Sequence, residues 1–294
     1  SLNIVLLFAI PLGLLAYGCA KNDDSSGGGS TANTNKYTRS NTPAKSSVSV
    51  PASLSAGGAN RTANAGSSNG IFYSELKMGV EQMKMSVSNA DLKAEKIIIE
   101  ELKKAKPDYS IISEENGIEN NKDKNNTWII DPIDGTINYL HGIPHFAISI
   151  ALKTKNEIVS GCIFDPIKDE MFYAEKNNGA YFNNQRAKVS KKKNLENCLF
   201  GTGDSGIKEL KIKKNVKIRN FGSSALDLAY VATGRLDGYF QKNLNIWDIA
   251  AGILLVKEAG GIVNDIDINK NENINVLASS AEINEKLIQN LTNF

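Results

Sequence analysis

Side chains that bind soft metals are scarce in this sequence. Its 294 residues contain three cysteines, Cys19, Cys162 and Cys198, far apart and with no CxxC pair, and two histidines, His141 and His145. A zinc site, an iron–sulfur cluster or a disulfide scaffold is therefore not expected. Charge of one sign is lacking too. The net charge is +2 overall, and residues 71–294 balance 29 basic side chains against 30 acidic ones. Nucleic-acid binding driven by bulk charge is not expected from such a domain. Residues 2–18 have no charged side chain, and residues 21–70 have few large apolar ones, since 39 of those 50 are Ser, Gly, Asn, Thr, Ala or Pro. Neither stretch suits a globular core, which leaves 71–294 as one folded domain.

The apolar run 2–17 is broken only by Asn3, Pro11 and Gly13, and it ends at Gly18-Cys19 before the polar Ala20-Lys21-Asn22-Asp23. It resembles a bacterial lipoprotein signal, although no basic region precedes it and the first residue is Ser, so a short upstream piece is expected to be missing. Its length would also suit a membrane anchor. Residues 1–20 are thus expected to attach the chain to a membrane if it is expressed as written, with a cytoplasmic location as the alternative. Residues 21–70 cannot bury enough apolar surface to offset ordering entropy and read as a disordered spacer.

Within the folded part, Ser88 reads as the cap of an amphipathic helix containing Asp91, Leu92, Ile98, Ile99, Leu102 and Ala105, stopped by Pro107. Strands are expected over 110–113, 128–130, 148–152, 158–164 and 171–174, with turns at Asp165-Pro166 and Asn183-Asn184. A helix over 223–233, a strand over 237–241 and a helix capped by Asn245 and ended by Gly260-Gly261 follow. Two strands over 262–265 and 275–278 and a helix over 282–291 complete the chain. Strands and helices without strict alternation indicate an α+β layered fold.

Asp131 and Asp134 lie across Pro132 at the end of an apolar strand, followed by Gly135-Thr136. Pro132 stiffens that turn, so both carboxylates and the Ile133 carbonyl can face one cleft, an outline suited to a hard cation such as magnesium. Glu114, Glu115 and Asp248, also at element ends, could join them. Taken singly, each acid reads as a turn or capping residue: Asp91 at the third position of a capping box, Asp248 in a helix first turn.

Together with their neighbours they resemble the inositol monophosphatase family of the lithium-sensitive, magnesium-dependent phosphatases. The segment 128–139, continuing through Gly142-Ile143-Pro144-His145-Phe146 and Ser149-Ile150-Ala151, is similar to its first signature. Trp247-Asp248-Ile249-Ala250-Ala251-Gly252 followed by Glu258-Ala259-Gly260-Gly261 is similar to its second. The resemblance runs from about Ser86 to the C-terminus. It implies a layered α-β-α-β-α sandwich of the inositol monophosphatase and fructose-1,6-bisphosphatase type. Glu114, Asp131, the Ile133 carbonyl, Asp134 and Asp248 become ligands of two or three Mg²⁺ ions, with Glu115 a weaker candidate. Asp91 and Thr136 become the pair that orients and deprotonates water.

The backbone N–H groups of Gly135 and Thr136 would then hold phosphate oxygens. Gly222, Ser223 and Ser224 would meet the substrate ring, with helix capping as the competing role for the serines. Gln241 stands where many members have a glutamate gripping hydroxyl groups. His141 and His145 read as loop residues. The implied substrate is an inositol monophosphate or a similar small polyol phosphate, with fructose-1,6-bisphosphate or histidinol phosphate within the same mechanism, and the implied assembly is a homodimer. The competing functions are a regulatory relative acting in transcription complexes and a non-catalytic surface lipoprotein. Two departures from the family pattern stand out. Only 71–85 is available for the usual opening helix, and the stretch 203–216, with Lys208, Lys211, Lys213 and Lys214, is short.

Overall fold

Apolar side chains alternate along the central strands, and each of the two resulting faces finds a helix layer. The computed structural model describes residues 87–203 and 216–291. The expected anchor 1–20, the spacer 21–70, the segment 71–85 and the lysine loop of Lys208, Lys211, Lys213 and Lys214 lie outside the described residues.

The elements are α1 (Val87–Ala105), β1 (Tyr109–Ser113), β2 (Gly117–Glu119), β3 (Asp123–Asp134), α2 (Thr136–Leu140), β4 (Ala147–Thr154), β5 (Glu157–Asp165), β6 (Glu170–Glu175), β7 (Gly179–Phe182) and β8 (Gln185–Arg186). There follow β9 (Leu199–Thr202), β10 (Lys217–Arg219), α3 (Ser224–Ala232), β11 (Gly238–Leu244), α4 (Ile246–Glu258), β12 (Gly261–Val263), β13 (Ile274–Ser280) and α5 (Asn284–Asn290). The first sheet has eight strands in the order β2-β1-β3-β4-β5-β6-β7-β8, and the second has five in the order β10-β9-β11-β13-β12.

On one face of the first sheet, Ile98 and Leu102 of α1 pack with Ile111, Trp128, Ile130, Ile150 and Leu152. Their alternates Ile112, Ile129 and Ala151 turn the other way and join α3 and α4, which also take Tyr239, Val276 and Ala278 of the second sheet. The far face of that sheet buries Phe200, Phe240 and Leu277 against Ile283 and Leu287. The layers therefore run α1, sheet, α3 with α4, sheet, α5, the α-β-α-β-α order that the period-two alternation requires.

The expected meander from 128 to 174 is present, and β3 extends well upstream of its apolar part because Asn126 and Thr127 pair with Thr154 and Lys153 of β4. One boundary differs in consequence. The helix expected to start at a Ser88 cap already includes Val87, so Asp91 lies beyond its first turn and not at the third position of a capping box. Burial of Ile98 and Leu102 fixes that helix, and tertiary packing outweighs cap chemistry.

A sheet irregularity positions the two aspartates of the first signature. Asp131 pairs with Ser149 and Asp134 with Ala147, so three steps on β3 oppose two on β4. Residues three apart on a regular strand face opposite sides. The extra residue of this bulge brings Asp131 and Asp134 to the same side, and Pro132, which has no N–H to donate, falls within it.

The inner helices touch closely at Gly252, where a Cβ would stand 2.5 Å from Leu228 Cβ. Alanine there would gain about 1 kcal/mol of helix propensity. The crowding is against a side-chain stem and not a flexible tip, and overpacking typically costs about 1–3 kcal/mol. Packing should win: Gly252→Ala is expected to lower the unfolding free energy in urea titration, and an unchanged or raised midpoint would show that α3 and α4 are not tightly apposed.

Candidate metal centre

The N-termini of the two inner helices open on the β3 bulge, and the acids gather there. Asp131, Asp134 and Asp248 each bring one carboxylate oxygen to within 4.8 Å of the other two. Asp131 is almost fully buried, and its Oδ1 accepts the Ile133 N–H at 3.0 Å. Asp134, also buried, accepts the Ser223 hydroxyl and, at 2.9 Å, the Ala225 N–H at the start of α3. Asp248 reaches back from the first turn of α4 to take the Asn245 N–H at 2.8 Å, completing a capping box with Asn245. Helix N-termini carry partial positive charge and N–H groups without intrahelical partners, so they are the cheapest places to keep a carboxylate ionised.

Glu114 follows β1, with its N–H 3.3 Å from the Ile130 carbonyl, and its carboxyl is hydrogen-bonded to Asp131. It is exposed at the lip of the cleft. Asp91, on α1, is almost completely buried, and neither of its carboxylate oxygens has a hydrogen-bond partner.

These surroundings push every carboxyl up. Burial raises Asp131 well above the usual range, reinforced by the charges of Asp134, Glu114 and Asp248. Burial takes Asp134 to about 6 despite the opposing hydrogen bond from Ser223. Asp248 is carried to about 7 by burial and then by Asp134, and Glu114 to about 7 by partial loss of hydration. Asp91 rises to about 6, first from burial and then from the Glu115 charge. Among the described residues none of the five forms an ion pair with a lysine or arginine. Clustered oxygen donors, repelling one another and without a counter-charge, fit a hard divalent cation.

The turn after β3 is shaped by close backbone approach. Gly135 has φ +98°, and a Cβ on it would stand 3.1 Å from the Gly222 carbonyl and 3.2 Å from that of His145. Thr136 opens α2, and its hydroxyl donates to the Ile133 carbonyl at 3.0 Å. Asn138 Nδ2 ties this turn to the segment before α3, donating to the carbonyls of His145 at 2.8 Å and Phe221 at 2.7 Å.

Ser223 serves as the cap of α3, its Oγ accepting the Leu226 N–H at 3.3 Å while the hydroxyl proton goes to Asp134. Tyr239 Oη lies 2.8 Å from Ser224 Oγ and 2.6 Å from Gln241 Oε1. Because Oε1 can only accept, the phenol proton goes to Gln241 and leaves its NH₂ as the unspent donor. His145, in the loop before β4, lies tilted against the rings of Phe221 and Tyr230, and His141 ends α2.

The model described as the inositol monophosphatase family matches residues 53–293. The chain belongs to the inositol monophosphatase family. The match begins upstream of the domain boundary expected at Ile71. Inositol-1-monophosphatase of Caulobacter vibrioides is 38% identical over 233 residues, covering 74% of this chain and 91% of that protein. The Nus factor SuhB of Xylella fastidiosa is 44% identical over 189 residues, 60% of this chain and 68% of that protein. The crystal structure of the extragenic suppressor protein suhB from Bartonella henselae superposes with a TM-score of 0.65 at 45% identity, covering 70% of this chain and 85% of that one.

Sequence reasoning singled out the acids that this inositol monophosphatase fold gathers, but it passed over Glu95 and Asp227. The missed signal for Glu95 was a stripe: positions 91, 95, 98 and 102 share one face of α1, and two of the four are acids. Asp227 is buried within α3 and raised well above the usual range by burial and by Asp134.

Raised carboxyls fix the sign of the pH dependence. A group that holds its proton more tightly when folded stabilises the fold below its unfolded value of about 4 and loses that contribution as pH rises through the folded value. For Asp91, Asp134, Glu114 and Asp248 the window runs from about 4 to about 7. The metal-stripped protein should therefore melt at progressively lower temperature across this window. Saturating Mg²⁺ should raise the melting temperature more at about pH 8 than at about pH 5. A Mg²⁺-induced rise of equal size at both pH values would refute the linkage.

Proposed function

We propose that this protein hydrolyses a phosphate monoester in a Mg²⁺-dependent reaction, with an inositol monophosphate as substrate and inositol and phosphate as products. The observation that carries the reading is the convergence of Asp131, Asp134 and Asp248 at two helix N-termini beside a Gly-Thr turn. Similarity to proteins named inositol-1-monophosphatase supports it. Glu114, Asp131, the Ile133 carbonyl, Asp134 and Asp248 would hold two or three ions. When bound, Mg²⁺ would supply positive charge at the phosphate oxygens and lower the pKa of water.

The chain's own groups account for the remaining tasks. In the reaction a P–O bond to water forms while the ester P–O bond breaks. One proton leaves the attacking water, and one reaches the departing alcohol oxygen from solvent water. Asp91, with two unpartnered buried oxygens and a pKa near 6, is suited to receive the first of these. Thr136 donates its own proton to Ile133, which turns its lone pairs outward to accept from that water and orient it.

The N–H groups of Gly135 and Thr136 would hold the phosphate. Since α2 spans five residues, direct hydrogen bonds and not a helix dipole would provide the attraction. With Ser223 committed to Asp134, contact with the polyol falls to the Gly222 backbone, Ser224 and Gln241. Gln241 would offer a donor, which selects hydroxyl or ether oxygens as acceptors.

Residues 71–294 would form the catalytic unit, working as a homodimer. Among the described residues no helix is long and apolar enough to cross a membrane. Fractionation of the intact chain separates attachment through residues 1–20 from a cytoplasmic location. A second reading, a role in transcription complexes, is favoured by similarity to proteins named Nus factor SuhB; it requires no phosphate release.

The test is phosphate release from inositol, sugar, histidinol and nucleotide phosphates, with and without Mg²⁺. Asp131→Asn should reduce Mg²⁺-dependent release by more than about 100-fold, beyond the usual loss from altering an outer-shell partner. Equal release by the variant and the parent chain would reject the assignment.

A further inference from the structure

A buried carboxylate outside the cluster is fully engaged in holding the loop that bears Glu114. Glu95 is completely buried on α1, one turn beyond Asp91. Its Oε1 accepts the Ser113 hydroxyl at 2.8 Å, the Asn116 N–H at 3.1 Å and the Asn116 side-chain amide, and its Oε2 accepts the Glu115 N–H at 3.1 Å. Four donors from three residues in the segment 113–116 thus meet one side chain. That segment joins β1 to β2, and β2 is a three-residue edge strand whose Ile118 and Glu119 are exposed, so little apolar burial holds it in place.

We propose that Glu95 is a positioning residue: by clasping the 113–116 turn it sets where Glu114 stands relative to Asp91, and with it the affinity of the centre for divalent cations. This role presupposes the function proposed above. Residues 91 and 95 lie one above the other on a helix face, so a single rigid turn of α1 carries both the Asp91 carboxylate and the anchor of the Glu114 loop. Side chain and backbone are locked together here as outer-shell groups lock metal ligands elsewhere, where their loss typically costs about 10–100-fold in metal affinity or activity.

Glutamine at position 95 is nearly isosteric but has one accepting oxygen. With that oxygen toward Ser113 and Asn116, its NH₂ faces the Glu115 N–H, donor against donor, and the turn is released. Ser113→Ala and Asn116→Ala each remove one donor and leave the backbone clasp in place.

The experiment is calorimetric titration of Mg²⁺ into the metal-stripped full chain, without substrate, for the parent and the three variants, followed by phosphate release as a function of Mg²⁺. Glu95→Gln should weaken Mg²⁺ binding about 10–100-fold and raise the Mg²⁺ concentration for half-maximal release to match, with kcat recovered at saturating Mg²⁺. Ser113→Ala and Asn116→Ala should shift both in the same direction by less. A purely structural role would lower the melting temperature or kcat and leave the Mg²⁺ affinity unmoved, and that result overturns the proposal. Should Glu95→Gln fail to fold, unchanged affinity in both of the other variants is equally decisive against it. A parent chain that binds no Mg²⁺ sinks the phosphatase reading and this inference together, whereas normal binding by the parent and all variants sinks this inference alone.

Discussion

Mutual repulsion among carboxylates packed into one cleft is the constraint around which the rest of this structure is arranged. Two unit charges at the 4.8 Å outer limit of this cluster repel by about 3.5 kcal/mol at an effective dielectric of about 20, and solvent at half-buried Asp248 weakens its share. Against this stand the hydrogen bonds that each acid receives, worth about 1.5–3 kcal/mol when the acceptor is charged, and helix N-termini worth up to about 2 kcal/mol. The two sides are of similar size. Loss of hydration on burial tips this balance, and the acids remain raised in pKa although Asp131, Asp134 and Asp248 are all hydrogen-bonded to backbone N–H groups. The fold holds the cluster together without neutralising it, and a divalent cation is the natural counter-charge.

That balance is delivered by three local devices that act in concert. The β3 bulge turns Asp131 and Asp134 to one side, the start of α3 meets Asp134, and the start of α4 supplies Asp248. The devices work only if α3 and α4 begin at the same place, which their close packing through Gly252 enforces. An architectural feature one turn along α4 from Asp248, a helix crossing too tight for a Cβ, is in this way part of the electrostatics.

Much of this was legible in the chain. Apolar runs marked β3 to β6 and an α+β class, the family resemblance implied the layer order, and the two signatures marked Asp131, Asp134 and Asp248. The strands that escaped notice, β2, β7, β8, β9 and β10, are two to four residues long and owe their existence to the partner they pair with, not to a pattern of their own. The start of α1 escaped for a related reason, since Ser88 has the chemistry of a cap but packing extends the helix past it. Glu95 was hidden because an acid on a helix reads as solvated until its burial is known. The informative feature was its place on the Ile98 and Leu102 stripe, where a charged residue has no reason to be unless something is built upon it.

The centre also divides by the rigidity of what supports it. Asp134, at the end of β3, is held by the start of α3, and Asp248 sits on α4, and the apolar residues of both helices are almost all buried between two sheets. Asp91, Glu95 and Glu114 sit at the margin of the first sheet, on a helix with Leu92 and Ile97 exposed and beside a short edge strand. Local opening is drawn from segments with few buried apolar contacts, so the marginal half is where the centre can yield and the inner half is where it cannot. Hydrogen bonds to a single carboxylate then matter more at the margin than they would in the interior. In the interior, apolar packing fixes geometry whatever the polar groups do; at the edge, Glu95 is the principal tie between the helix that carries Asp91 and the turn that carries Glu114. The centre thus combines a stiff floor with an adjustable wall, the two meeting where Asp131 faces Glu114.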